Sequence, residues 1–240
     1  AALRLRSSGG RLVYVGAGTS GRVAVQDGVE LGPTFGWPES RLIYLMAGGI
    51  HALVHSAEGA EDDADAARAQ IAANGIDKDD VVIGVAASGR TPFTIAAIET
   101  AREAGALTIA IANNEGSALA AAAEHALVAA TGSEVLAGST RMKAGTAQKA
   151  ILNLLSTAIM LRLGRVYRGL MVDMVISNEK LKNRAVGIVQ TLSNCDEAAA
   201  ADALHIASND IKTAVLIALG QSAESAARLL GEHKGILRDA

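Results

Sequence analysis

The sequence predicts a three-layer α/β sandwich with a five-stranded parallel sheet, followed by a small C-terminal helical domain. Five short apolar runs predict strands, over residues 11–16, 41–46, 81–86, 107–112 and 126–129, and the first of them is expected to be buried. Helical segments separate these runs, and that alternation is typical of a parallel sheet covered on both faces. From residue 146 onward the pattern contains helices alone.

The segments between and after the predicted strands have the patterns of helices. A loop over residues 17–21 is expected to lead into a helix that ends near residue 30. An alanine-rich helix is expected over 52–74, with Gly59 as a candidate break. Pro92 suits the first turn of the next helix, where a missing N–H costs nothing. The other predicted helices cover residues 117–123, a long segment from 146, and 196–207, 210–219 and 222–231, where Asp196 and Asp210 suit N-caps. We therefore predict a first domain over 1–185 and a helical domain over 186–240.

Composition excludes several classes of function. The 240 residues carry a net charge of −3 and only 2% aromatic residues, which argues against a basic nucleic-acid binder or a membrane-surface binder. A single cysteine, Cys195, excludes an internal disulfide framework and is typical of a cytoplasmic protein. His51 and His55 are spaced for a shared metal, but no third ligand is apparent. We therefore expect no membrane span, no metal and no cofactor.

Two similar turns follow the first and third predicted strands. Residues 16–21 match the pattern G-x-G-x-x-G, but the second strand ends at Met46 without the acidic residue of a dinucleotide site. Hydroxyls, free N–H groups and a helix start instead suit a single phosphate group. The candidate ligands are Gly18, Thr19 and Ser20 in the first turn and Ser88, Gly89, Arg90 and Thr91 in the second. The alternative is a pair of tight turns that only let helices pack on their strands.

Two groups of carboxylates are candidates for acid–base chemistry. Residues 58–63 (EGAEDD) concentrate four of them, and either a general base or a solvated helix start would explain that cluster. Glu30 lies between Val29 and Leu31, and we expect apolar surroundings there to raise the pKa of Glu30, as a general acid requires. The alternative is an ordinary glutamate at the end of a helix.

A polar loop over residues 131–146 follows the fifth predicted strand. It contains the substrate-binding candidates Glu134, Ser139 and Lys143, and loops rich in polar groups often carry function. The alternative is a capped helix start, with Ser139 or Thr140 as the N-cap.

Five segments in order along the chain resemble the N-acetylmuramic acid 6-phosphate etherase family, within the sugar isomerase (SIS) fold. They are GRLVYVGAGTSGRVAV, EGAEDD, VVIGVAASGRTPF, GSTRMKAGTAQKAILNLLSTA and LMVDMVISNEKL, which begin at residues 10, 58, 81, 138 and 170. The glucokinase regulatory protein shares this ancestry but is a longer chain with two such domains. Leu31-Gly32-Pro33 stands where the family commonly has Cys-Pro-Pro, which alters the shape of that loop.

The resemblance implies a reaction and its residues. The family cleaves the D-lactyl ether of N-acetylmuramic acid 6-phosphate by elimination and then hydration, which yields N-acetylglucosamine 6-phosphate and D-lactate. The family's acid falls on Glu30, and its second glutamate, the base, falls on Glu61. The family also implies a cytoplasmic homodimer that serves cell-wall recycling, and an N-terminal helical segment that precedes these residues.

Two other functions are compatible with a phosphosugar pocket. One is a sensor that binds an amino-sugar 6-phosphate without turnover, and the other is an aldose–ketose isomerase on the same fold. The presence of both Glu30 and Glu61 favours the etherase over the sensor, and the motifs outside the phosphate turns favour it over the isomerase.

Overall fold

The computed structural model describes residues 1–6 and 9–240. Its contacts divide the chain into two compact units. The first contains Ala1–Val29 and Pro38–Thr157, and the second contains Glu30–Trp37 and Ala158–Ala240. These units describe packing, and the division into domains at residue 185 stays a prediction.

The first unit contains the predicted parallel sheet. Its strands are β1 (Leu12–Gly16), β2 (Leu42–Met46), β3 (Val81–Ala86), β4 (Leu107–Ala112) and β5 (His125–Val128), in the order β2-β1-β3-β4-β5. All neighbouring strands are parallel, and β1 pairs with β3 so that Gly16 lies opposite Val85. Every residue of β1, β3 and β4 is buried, as expected for the centre of a sheet covered on both faces. The predicted fold class is therefore confirmed.

Helices pack against this sheet. They are α1 (Ala2–Leu5), α2 (Gly18–Phe35), α3 (Ala64–Ala73), α4 (Pro92–Glu103), α5 (Ala118–Ala122) and α6 (Lys143–Arg162), and α2 and α6 continue into the second unit. Side chains of α3 and α4 form one apolar core with β1 and β3, in which Ile71, Phe93 and Ile98 are buried. In the described part of the chain, no helix is long and apolar enough to cross a membrane.

The expected loop over residues 17–21 is wrong, and so is the expected end of the following helix. Gly18 turns the chain with a φ of +51°, so α2 begins there and includes most of the loop. Pro33 lies inside α2, two residues before its end. The φ of proline is compatible with a helix, and the only hydrogen bond that its missing N–H removes is one in the last turn. The helix therefore reaches Phe35.

The expected helix over residues 52–74 is also wrong in its first half, whereas the candidate break at Gly59 is confirmed. Two 3-10 turns, Ile50–Leu53 and Ala60–Asp62, stand in its place, and α3 begins only at Ala64. Gly59 is left-handed with a φ of +73°, which interrupts any regular helix. Asp63 then starts α3 as an N-cap, since its carboxylate accepts from Ala66 N at 2.8 Å.

The second unit contains a helical cluster, as predicted. After α7 (Glu179–Ser193) come α8 (Glu197–Ile206), α9 (Ile211–Ala218) and α10 (Ala223–Glu232). Asp196 and Asp210 cap α8 and α9 through their side chains, which confirms both predicted N-caps. These helices share an apolar core that includes Val189, Leu204 and Val215.

Candidate functional site

A cavity of about 380 Å³ opens at the carboxyl ends of β1 and β2. The start of α2, the end of β2 and the segment between β2 and α3 form its walls. The residues that line it are Ala17, Gly18, Thr19, Arg22, Met46, Ala47, Ala52, Ser56, Ala57, Glu58, Gly59, Ala60 and Glu61. In open α/β sheets, ligands bind at this edge.

The first wall of the cavity is the amino end of α2. A Cβ on Gly21 would lie 2.8 Å from the Gly16 carbonyl, so only glycine lets the helix start this close to β1. Gly18 and Thr19 line the cavity, whereas Ser20 is buried. The first N–H groups of a helix have no acceptor within it, so this wall offers donors and a positive helix end to an anion.

Arg22 supports the second wall. Its Nε donates to the carbonyl oxygens of Ala52 (3.1 Å) and Leu53 (3.0 Å), and its Nη2 donates to that of His55 (3.0 Å). The guanidinium therefore fixes the segment that follows β2. The sequence did not indicate this role for Arg22, because the partners are backbone atoms about thirty residues away.

The carboxylates of residues 58–63 divide between two roles. Glu58 and Glu61 line the cavity and are exposed to it, while Asp63 is used as the N-cap of α3. Glu61 lies in the 3-10 turn Ala60–Asp62, which the left-handed Gly59 starts. The structure thus brings Glu61 together with Gly18 and Thr19.

The second predicted phosphate turn follows β3, the strand next to β1. Ser88 is exposed and its Oγ accepts from Arg90 N at 3.2 Å, while Thr91 makes no side-chain capping bond at the start of α4. Gly89 has a φ of +63°, and a Cβ there would lie 2.3 Å from Ser117 Oγ. This turn therefore requires glycine. It lies at the same sheet edge as the first turn, although it does not line the cavity.

The loop before α6 is organised by Glu134. Its two carboxylate oxygens accept from Lys143 N at 3.1 Å and Ala144 N at 3.0 Å, so Glu134, rather than Ser139 or Thr140, caps the helix. The N–H of Ala144 above all, and then that of Lys143, lower the pKa of Glu134. The side chain of Lys143 stays exposed. Sequence spacing did not indicate this cap, because the capping group lies nine residues before the helix.

Glu30 belongs to the second unit, and the expected apolar surroundings are wrong. Glu30 is exposed, and its neighbour Val29 is 57% exposed, while Leu31 is buried. The reason is helical rotation: α2 turns Leu31 inward, so Glu30 and Val29 point away from the core. The physical ground that the sequence offered for an acid here is therefore lost, and the role stays a prediction that rests on the family resemblance.

His51 and His55 are not an i, i+4 pair on a regular helix. Their rings stack with centroids 4.1 Å apart beside the 3-10 turn Ile50–Leu53. Within residues 1–6 and 9–240, no three His, Cys, Asp or Glu side chains are grouped as metal ligands.

Comparison with known proteins agrees with this geometry. The model of the N-terminal SIS domain of glucokinase regulatory protein matches residues 1–102, and that of its C-terminal lid domain matches 168–215. The C-terminal domain of glucosamine-fructose-6-phosphate aminotransferase from Francisella tularensis has the same fold. Its TM-score is 0.51 at 16% identity, over 86% of this chain and 50% of that one.

Two curated relatives are far more similar in sequence. N-acetylmuramic acid 6-phosphate etherase of Symbiobacterium thermophilum is 54% identical over 90% of this chain and 71% of its own length. The enzyme of that name from Actinobacillus pleuropneumoniae serotype 5b is 49% identical over 97% of this chain and 77% of its own length. At this identity and coverage, the chain belongs to the N-acetylmuramic acid 6-phosphate etherase family.

Proposed function

We propose that this chain acts on the substrate for which its relatives are named. It is an N-acetylmuramic acid 6-phosphate etherase, a carbon–oxygen lyase that releases D-lactate and N-acetylglucosamine 6-phosphate. The observation that carries this conclusion is 49–54% identity over at least 90% of the chain to etherases. A cavity that joins a helix start to a carboxylate supports it, because the reaction needs an anion site beside a base.

The proposed mechanism assigns one proton transfer to each glutamate. In the open-chain sugar, the C2 proton is acidic because C2 adjoins the C1 aldehyde. The Glu61 carboxylate removes that proton, the electron pair forms the C2–C3 double bond, and the C3–O bond breaks. The Glu30 carboxyl gives its proton to the departing lactyl oxygen, which otherwise leaves as an unstable alkoxide. Water then adds at C3, and a proton returns to C2.

The sugar phosphate is proposed to bind at the two turns. Gly18, Thr19 and Ser20 offer N–H groups and a hydroxyl at the start of α2, and Ser88, Gly89, Arg90 and Thr91 offer the same groups and a cation after β3. Glu134, Ser139 and Lys143 are proposed to contact the substrate from the loop before α6. For Glu134 the bonds to Lys143 N and Ala144 N also support an indirect role, in which it shapes this loop.

The direct test is release of D-lactate from N-acetylmuramic acid 6-phosphate. We expect equal amounts of D-lactate and N-acetylglucosamine 6-phosphate, and the same rate in excess chelator, because two carboxylates account for both proton transfers. N-acetylmuramic acid without its phosphate is the control substrate. Tight phosphosugar binding without lactate would instead indicate a sensor, and activity that chelation abolishes and zinc or magnesium restores would replace the mechanism.

The Ser88→Ala variant is expected to weaken phosphosugar binding by about 1–3 kcal/mol, the range for losing a hydrogen bond to a charged group. Calorimetry with N-acetylglucosamine 6-phosphate measures the change. Ser40→Ala is the matched control, since Ser40 is exposed and precedes β2 at the opposite edge of the sheet. Equal affinity in Ser88→Ala and wild type would remove Ser88 from the site.

We also propose that the enzyme is a homodimer of the bacterial cytoplasm that serves recycling of cell-wall sugars, as the family resemblance implies. Large apolar side chains on the first unit support a second copy as partner: Val135 is 90% exposed, Leu154 72% and Met142 55%. Exposed apolar patches often mark interfaces between proteins. Sedimentation equilibrium should give a dimer that Leu154→Lys weakens, and a wild-type monomer at micromolar concentration would contradict the proposal.

A further inference from the structure

Asp27 is a buried carboxylate that the proposed reaction does not use. It is 4% exposed and lies in the middle of α2. Its Oδ1 accepts from Asn153 Nδ2 at 2.7 Å and from Ser156 Oγ at 3.0 Å, and its Oδ2 accepts from the Tyr14 hydroxyl at 2.9 Å. These three bonds, the Asp27 network, tie α2 to β1 on one side and to α6 on the other.

Every partner in the Asp27 network is held as a donor. Lys149 Nζ donates to Asn153 Oδ1 at 2.6 Å, which orients the amide so that its Nδ2 faces Asp27. Burial, followed by the Asp27 charge, raises the pKa of Tyr14 well above its usual value, so the phenol keeps its proton. The network therefore surrounds one carboxylate with three donors in a defined geometry.

The stability of the fold does not by itself explain a buried carboxylate at residue 27. Burying a carboxylate costs desolvation energy, and well-packed apolar side chains in its place are often equally stable. The directional hydrogen bonds of the Asp27 network instead give α2 a defined position relative to β1 and α6. The next residue, Gly28, packs directly against two tyrosine rings, because a Cβ there would lie 2.5 Å from Tyr44 Cε1 and 2.9 Å from Tyr14 Cε2. Asp27 and Gly28 together fix the rotation of α2 about its axis.

We propose that Asp27 is a positioning residue for the acid of the etherase reaction. It holds the rotation of α2 that presents Glu30, which lies three residues, or nearly one helical turn, further along the same helix. This inference rests on the proposed function. Arg22, which holds the segment before Glu61, lies at the amino end of α2. That end is fixed separately, because Gly21 packs against Gly16 with no room for a Cβ. The bonds of the Asp27 network go to Tyr14, Asn153 and Ser156, and none of them reaches the turn that carries Glu61. Loss of Asp27 should therefore affect the acid and spare the base.

The test separates the two proton transfers in Asp27→Asn. We expect the rate of D-lactate release to fall about 10- to 100-fold, the scale on which small misplacements act, while exchange of the C2 proton with deuterated water stays at the wild-type rate. Ser156→Ala removes one of the three bonds and should show the same split with a smaller loss. It also keeps the proposal testable if Asp27→Asn does not fold.

Asp80→Asn is the matched control. Asp80 is an equally buried carboxylate, 1% exposed, which accepts from Arg11 N, Nε and Nη2 just before β3, at the opposite edge of the sheet. The Asp80→Asn variant should lower Tm and leave the ratio of C2-proton exchange to lactate release unchanged. The positioning role would be overturned if lactate release and C2-proton exchange fell equally in Asp27→Asn and Ser156→Ala, or if neither rate fell. Absence of lactate release in the wild type would instead contradict the proposed function.

Discussion

The Glu61→Gln variant is expected to lose both lactate release and exchange of the C2 proton, each by at least ~10²-fold. The physical reason is that removal of the C2 proton precedes cleavage of the C3–O bond, so every later step depends on the base. Glutamine fills the same volume in the cavity wall but cannot accept a proton at neutral pH. Proton NMR of C2 in deuterated water, with N-acetylmuramic acid 6-phosphate as substrate, measures the exchange.

The control for this variant lies in the same cavity. Glu58→Gln removes a neighbouring carboxylate three residues away and should retain most of the exchange rate if Glu61 is the base. Both variants should bind N-acetylglucosamine 6-phosphate, which shows that the phosphate turns are intact. Wild-type exchange in Glu61→Gln would remove this residue from the role.

The Glu30→Gln variant is expected to separate the same two measurements. Lactate release should fall by at least ~10²-fold, since no acid protonates the departing oxygen, whereas some C2 exchange should persist because proton removal does not need the acid. Glu30 is exposed on α2, so the substitution should leave Tm near that of the wild type.

A reversed pattern would reassign the two residues. If Glu30→Gln abolished C2 exchange while Glu61→Gln retained it, Glu30 would be the base and Glu61 the acid. Gln26→Ala serves as the control for the helix, because Gln26 is also exposed on α2 and precedes Asp27. It should change neither rate.

Strand positions followed closely from the sequence because each strand is a short, mainly apolar run with few charged residues. The five predicted runs agree with β1 to β5 within about one residue at each end. The capped helices of the second unit followed for the same kind of reason, since Asp196 and Asp210 act within their own first turns. Local chemistry of this kind is visible in a sequence without knowledge of distant partners.

The errors occurred where backbone conformation depended on glycine. Over residues 52–74 the sequence offered Gly59 as a candidate break, but the residues before it form 3-10 turns rather than a helix, and Asp63 starts α3 only afterwards. At Gly18 the reverse happened, because the chain turned within one residue and the expected loop became helix. Composition does not distinguish a glycine that bends the chain from one that continues a helix.

The sequence by itself was sufficient for the sheet, for the two glycine turns at its carboxyl edge and for the family, because each depends on local patterns or on motifs read in order. Long-range contacts decided the remainder. They made Glu134 a helix cap, made Arg22 a support for the cavity wall, left Glu30 exposed, and buried Asp27 among donors from β1 and α6. A side chain's partners more than a turn away are set by packing, which a pattern of neighbouring residues does not contain.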